Sequence, residues 1–186
     1  MTNSVVKEQP IDRGTAKQRH GAVWVLGVNS AYHESSACIL RDGELVAAVE
    51  EERFNRIRHG KVADLTNPHW LPEQSIRYCL DAAGIGPEEL SLVGYSFDPA
   101  RRQAHNVGLD VETVEGGPGT AQRESEFCAL LEQVPSLLSK YLNEDLRSRF
   151  RWVQHHLCHA SSAFYASPLR GSGHPEHRRH FAARQK

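Results

Sequence analysis

The 186-residue sequence predicts an α/β domain in which an antiparallel three-stranded meander is followed by alternating helices and strands. Three short apolar runs near the start are separated by turn residues, and from residue 72 onward helical periodicity alternates with further short apolar runs. A second landmark is a group of three histidines within five positions, His155, His156 and His159, at the seam between a strand and a helix.

The first strand is Val23 to Val28, ended by Asn29-Ser30. Ser36 to Leu40 and Leu45 to Val49 are the next two, joined by Arg41-Asp42-Gly43-Glu44. Asp-Gly between apolar runs signals a tight hairpin, because both residues tolerate positive φ. Pro72 to Ala83 carries Ile76, Cys79, Leu80 and Ala83 on one helical stripe, with Pro72 suited to the first turn and Gly84 to the stop. Leu90 to Phe97 is a fourth strand. Asp98 to Arg123, with Gly116-Gly117-Pro118-Gly119, is expected to be a long loop. Ser125 to Leu142 has apolar residues at helical spacing, which Pro135 must kink or split in two. Phe150 to Gln154 is a fifth strand, and the chain is helical from about His155 to Tyr165, stopping at Ser167-Pro168. This order outlines the half-domain of actin-like and ribonuclease H-like proteins.

Composition narrows the function. The formal net charge is −1 with 11 histidines taken as neutral, and no basic block stands out, so a nucleic-acid partner is not expected. Cys38, Cys79, Cys128 and Cys158 are scattered without a Cys-x-x-Cys pair and read as reduced thiols. Met1 to Gly21 is a polar extension lacking the apolar core of a signal peptide, and no run approaches the roughly 20 residues that span a bilayer. A cytoplasmic location with no membrane association is the expectation. Residues 22–168 form the domain, and residues 169–186 are a polar tail.

Four residues separate His155 from His159, so on a helix both project from one face and their imidazoles can share a cation. Two such histidines can equally be a packed, hydrogen-bonded pair with no metal. The metalloprotease pattern His-Glu-x-x-His is absent, since His156 and Leu157 follow the first histidine. There is no GxxxxGK phosphate loop either.

Several stretches resemble the N-terminal part of the nodulation-type O-carbamoyltransferases. They are Leu26-Gly27-Val28-Asn29-Ser30-Ala31-Tyr32-His33-Glu34-Ser35-Ser36-Ala37, Arg41-Asp42-Gly43, Glu50-Glu51-Glu52-Arg53-Phe54, the helix from Ile76 to Ile85, and His155-His156-Leu157-Cys158-His159-Ala160-Ser161-Ser162-Ala163-Phe164. The resemblance covers roughly Val23 to Pro168. It implies a two-stage reaction: carbamoyl phosphate and ATP give carbamoyl-adenylate, and the carbamoyl group then passes to a hydroxyl of a secondary metabolite or glycan. In that family a C-terminal domain makes the adenylate, and the actin-like N-terminal domain performs the transfer beside a metal, usually iron.

On this resemblance His155 and His159 fill metal-ligand positions for Fe2+ or another divalent ion, completed in the family by aspartates further along. His33 fills the position of the base near the acceptor hydroxyl, a role that suits histidine because an alcohol is almost wholly protonated at neutral pH. Asn29, Ser30 and Ser35 lie where actin-like proteins bring a turn against nucleotide phosphates. Glu51, Arg53 and His59 fall near the transfer pocket, although a charge run at a strand end is usually a solvated face.

After Pro168 the resemblance stops. Leu169 to Lys186 is polar, basic and aperiodic where the family continues into an apolar strand, and His174, His177 and His180 lie among Pro175 and charged neighbours. The expectation is a truncated or frameshifted product, inactive alone and able to self-associate through an uncovered sheet edge. Two other readings remain: a tRNA threonylcarbamoylation-type protein, against which the near-neutral charge and the His33 motif speak, and a non-catalytic metal-binding or interaction remnant.

Overall fold

The computed structural model describes residues 21–32, 34–62, 64–106 and 120–166. The strands are β1 (Trp24–Asn29), β2 (Ser36–Arg41), β3 (Glu44–Glu50), β4 (Leu90–Tyr95) and β5 (Phe150–Trp152). The helices are α1 (Glu52–Asn55), α2 (Glu73–Ala83), α3 (Pro99–Asn106), α4 (Ala121–Leu131), α5 (Val134–Leu142) and α6 (His155–Ala166).

The sheet order is β3-β2-β1-β4-β5. β1, β2 and β3 form the expected antiparallel meander, while β4 and β5 add in parallel to β1. This mixed sheet is the actin-like, ribonuclease H-like half-domain that the order of elements predicts. The β2–β3 turn is built as the residue types require: Asp42 and Gly43 have φ of 52° and 84°, and Asp42 Oδ1 accepts from the Val23 N–H at 2.8 Å.

Strand alternation sets the core. Trp24, Leu26 and Val28 are buried on one face of β1, and their register partners Ile39 and Ala37 lie beside them on β2. α2 closes this face, packing Ile76, Cys79 and Leu80 over β2 and β3. On the opposite face of β1, a Cβ at Gly27 would meet Cys38 Sγ at 2.7 Å, so the missing Cβ leaves room for that thiol. Phe127, Cys128, Leu131, Val134 and Leu138 of α4 and α5 are also buried.

The segment after β4 departs from the expectation. Part of the expected loop from Asp98 to Arg123 is helical, since α3 occupies Pro99–Asn106. α3 has no apolar stripe to announce it. It is tied to α4 by a two-pronged Arg102–Glu124 ion pair at 2.8 and 3.0 Å and by the Cys128 thiol donating to the Pro99 carbonyl. The long helical pattern after Ser125 divides, as Pro135 demands, with the proline in the first turn of α5, where its missing N–H costs nothing.

Candidate functional site

The three parallel strands end side by side. Ser96, just past β4, donates its N–H to the Val28 carbonyl at 3.1 Å, and Val153, just past β5, donates to the Tyr95 carbonyl at 2.9 Å. Crevices at the carboxyl ends of parallel strands are where α/β sheets place ligands, because loops diverge there. His155 opens α6 two residues beyond this junction.

The histidine pair is held in a defined state. His155 is half-buried, and its Nδ1 lies 3.2 Å from the Ser96 carbonyl, an acceptor only, so Nδ1 carries the proton. In the neutral ring Nε2 therefore keeps its lone pair. His159 Nε2 is 3.0 Å from that atom and donates to it when no cation is present. A ring N–H fixed by a carbonyl, with the second nitrogen presented outward, is the usual support of a metal-ligating histidine.

The pair fits two positions of a coordination sphere. Two imidazole nitrogens each about 2.1 Å from one cation and at right angles to it are about 3 Å apart, and the observed separation is 3.0 Å. A third partner is missing from the described residues, among which no group of three or more His, Cys, Asp or Glu residues could hold a metal ion. His156 is exposed.

Asn29 belongs to the same constellation. Its Oδ1 accepts from Ser96 Oγ, and its Nδ2 donates to the Glu34 carbonyl at 2.9 Å. The Ser96 residue thus joins the histidine pair to the loop after β1. Upstream in that loop Tyr32 stacks on Phe127 at 4.8 Å and meets Phe97 edge-on at 5.6 Å. The next residue, His33, lies outside the described residues.

The remaining expected site residues are placed differently. Ser30 is fully buried, and its hydroxyl is 2.9 Å from the Tyr95 hydroxyl and within reach of the Pro68 carbonyl. Burial also holds the Tyr95 phenol well above its ordinary range. Glu51 is buried against the start of α2. Its Oε2 accepts from Ser75 N and Oγ at 2.8 and 2.7 Å, and its Oε1 from Gln74 N and Nε2 at 3.2 and 3.3 Å. Pro72 has no side chain that could cap this helix, and Glu51 supplies the cap from another element. Arg53 pairs with Glu50 at 3.0 Å on an exposed face. His59 adopts φ 64°, donates its N–H to Glu52, and offers its carbonyl to the Ser35 N–H at 3.0 Å.

With this geometry in view, relatives clarify the chain. A family model described as carbamoyltransferase N-terminus matches residues 24–175. The chain belongs to that family. Nodulation protein NolNO of Sinorhizobium fredii (strain NBRC 101917 / NGR234) is 34% identical over 139 residues, 75% of this chain and 18% of that protein. An uncharacterized Synechocystis protein, sll1178, is 31% identical over 154 residues, 78% of this chain and 23% of its own length. The chain thus spans less than a quarter of these two relatives. Among solved structures it is similar to YeaZ from Pseudomonas aeruginosa, with a TM-score of 0.42 and 14% identity over 76% of this chain and 48% of that one.

Within this carbamoyltransferase N-terminal domain, sequence reasoning found the histidine pair and missed Ser96. Its signal was positional: a small polar residue directly after the fourth strand, where a parallel sheet opens. No helix among the described residues is long and apolar enough to cross a membrane.

Proposed function

We propose that this chain is the N-terminal portion of an O-carbamoyltransferase that passes a carbamoyl group from carbamoyl-adenylate, made from carbamoyl phosphate and ATP, to a hydroxyl of a small metabolite or glycan. The observation that carries the reading is the histidine pair at the carboxyl ends of the parallel strands, with His155 Nδ1 bound to the Ser96 carbonyl and its Nε2 lone pair directed at His159 Nε2, 3.0 Å away. Family membership supports it.

In this reading the acceptor oxygen attacks the carbamoyl carbon, the bond to the adenylate phosphate oxygen breaks, and AMP leaves with that electron pair. The acceptor proton passes to His33, and the product is a carbamate ester. A divalent ion, Fe2+ by family, held by His155 and His159 would supply Lewis acidity beside the reacting carbonyl. The chain's own residues orient the site: Ser96 fixes the His155 tautomer, and Asn29 steadies the loop that carries His33. In this reading the turn after β1 would bring the backbone of Asn29 and Ser30 toward the leaving phosphate, the Ser30 hydroxyl being buried against Tyr95 and the Pro68 carbonyl and Ser35 lining a separate cavity. Residues 1–186 alone are inactive in this reading, because the two imidazoles found among the described residues do not complete a coordination sphere.

The test is a cobalt titration of the 186-residue chain, read by visible absorption, alongside a transfer assay with carbamoyl phosphate, ATP and hydroxylated acceptors. One weak, saturable cobalt site is expected in the wild type, and none in His155→Ala, His159→Ala. Equal cobalt binding by the double variant, or carbamoyl transfer by the 186 residues alone, would overturn this account.

A further inference from the structure

Apart from the histidine pair, the segment following β3 folds over a cavity of about 210 Å³ that Ser35, Glu51, Lys61 and Trp70 help to line. Asn29, Ser30, His155 and His159 are not among its walls. Its polar floor is not satisfied from within. Ser35 is 2% exposed, and its hydroxyl has no hydrogen-bond partner. Lys61 is 5% exposed, and its ammonium donates to the Asn67 carbonyl, with no carboxylate in ion-pair range among the described residues. A buried ammonium normally finds a counter-charge, since desolvating it alone is costly.

The one acidic wall residue does not serve as that counter-charge. Both Glu51 oxygens are taken up by four donors at the start of α2. His69 nearby offers no counter-charge either: burial first and the Lys61 charge second lower its pKa, which favours the neutral imidazole. Burial likewise lowers the Lys61 ammonium to about 8. Trp70, 57% exposed, and Val62, 71% exposed, give the mouth apolar walls.

We propose that this cavity binds a small oxyanion, a carboxylate or a phosphate, through the Lys61 ammonium and the Ser35 hydroxyl. An oxyanion supplies what the floor lacks, a negative partner for Lys61 and an acceptor for Ser35 Oγ. The size selects a small ligand: pockets for drug-sized molecules run from about 300 to 1,000 Å³, above the 210 Å³ available. Gly60 keeps the floor tight, since a Cβ there, at φ 80°, would press within 2.9 Å of Ser35 Cβ. The site stands whether or not the chain takes part in carbamoyl transfer.

The test is thermal unfolding and calorimetric titration of the 186-residue chain at fixed ionic strength with sodium phosphate, sodium acetate or sodium chloride. Phosphate or acetate should raise the melting temperature saturably and bind at one site, and chloride should not. Response to phosphate alone assigns a phosphoryl ligand, and response to acetate alone a carboxylate. Lys61→Met should weaken binding at least tenfold, and Ser35→Ala, which removes only one oxygen, about threefold or more. No response beyond chloride in the wild type, or undiminished binding in Ser35→Ala and Lys61→Met, would overturn the proposal. Should Lys61→Met fail to fold, titration of Ser35→Ala decides it.

Discussion

Replacing Glu51 with alanine tests whether this buried carboxylate is a helix cap or a group that meets substrate. The carboxylate receives four hydrogen bonds from Gln74 and Ser75, two of them at 2.8 and 2.7 Å, and it does so where α2 has no cap of its own. Losing a cap costs about 1 kcal/mol, and a buried donor left without its charged acceptor costs about 1–3 kcal/mol more. Exposed Gln74 Nε2 can turn to water, so Glu51→Ala should destabilise by roughly 2–4 kcal/mol, a fall in melting temperature of roughly 5–15 °C. Glu51→Gln keeps one acceptor but turns an amide donor toward the Ser75 N–H, so an intermediate loss is expected. The assay is urea unfolding followed by far-UV circular dichroism. A Glu51→Ala protein within about 0.5 kcal/mol of wild type, the scale of a neutral surface change, would refute the capping argument and return Glu51 to the transfer pocket.

In an enzyme carrying the full catalytic machinery, His33→Asn should slow carbamoyl transfer by about 10²-fold while leaving carbamoyl-adenylate formation intact, and an equal loss in both half-reactions would contradict a base at position 33. Lys61 has its pKa lowered from 10.5 to about 8 by burial. Its charge therefore penalises the fold fully below pH 8, and the penalty fades as pH rises toward 10.5, where the unfolded chain also gives up its proton. Lys61→Met should accordingly be more stable than wild type at pH 7, by roughly 1 kcal/mol after solvent screening and the lost bond to Asn67 are allowed for, and should lose that advantage near pH 10.5. Lower stability of Lys61→Met across the whole range would contradict this. Among the described residues β5 is paired on one side only, and Leu157, Phe164 and Tyr165 of α6 are 54%, 51% and 80% exposed. Sedimentation of the isolated chain should thus show concentration-dependent association, weakened by Leu157→Glu; a monomer at all concentrations would count against it.

The meander and α2 were legible because their signals are local. Asp42-Gly43 states its positive φ in its residue types, and Gly84 at φ 67° stops α2 where its apolar stripe ends. His155 and His159 were legible for the same reason, since a four-residue spacing carries its own geometry once α6 begins. α3 was hidden because the partners that tie it down, Glu124 and Cys128, lie beyond any short window, and Pro99-Ala100-Arg101-Arg102 carries no stripe; Asp98, whose Oδ1 accepts from the Arg101 N–H, is a local signal of a helix start. The Lys61 cavity was hidden for a related reason. Ser35, Glu51 and Lys61 meet through chain crossings that no periodicity records, and the charge run around Glu51 fits a solvated face as well as a pocket, whereas Glu51 itself is buried.

Ser96 divides its duties between two parts of one residue. Its side chain reaches Asn29, and its main-chain oxygen receives the His155 ring. A carbonyl at a strand end has no rotamer, and every amino acid provides one. Substitution at position 96 can therefore retune the loop after β1 without changing which nitrogen of His155 bears the proton. One side of the crevice can thus change its side chains while the imidazole tautomer on the other stays insulated from that drift.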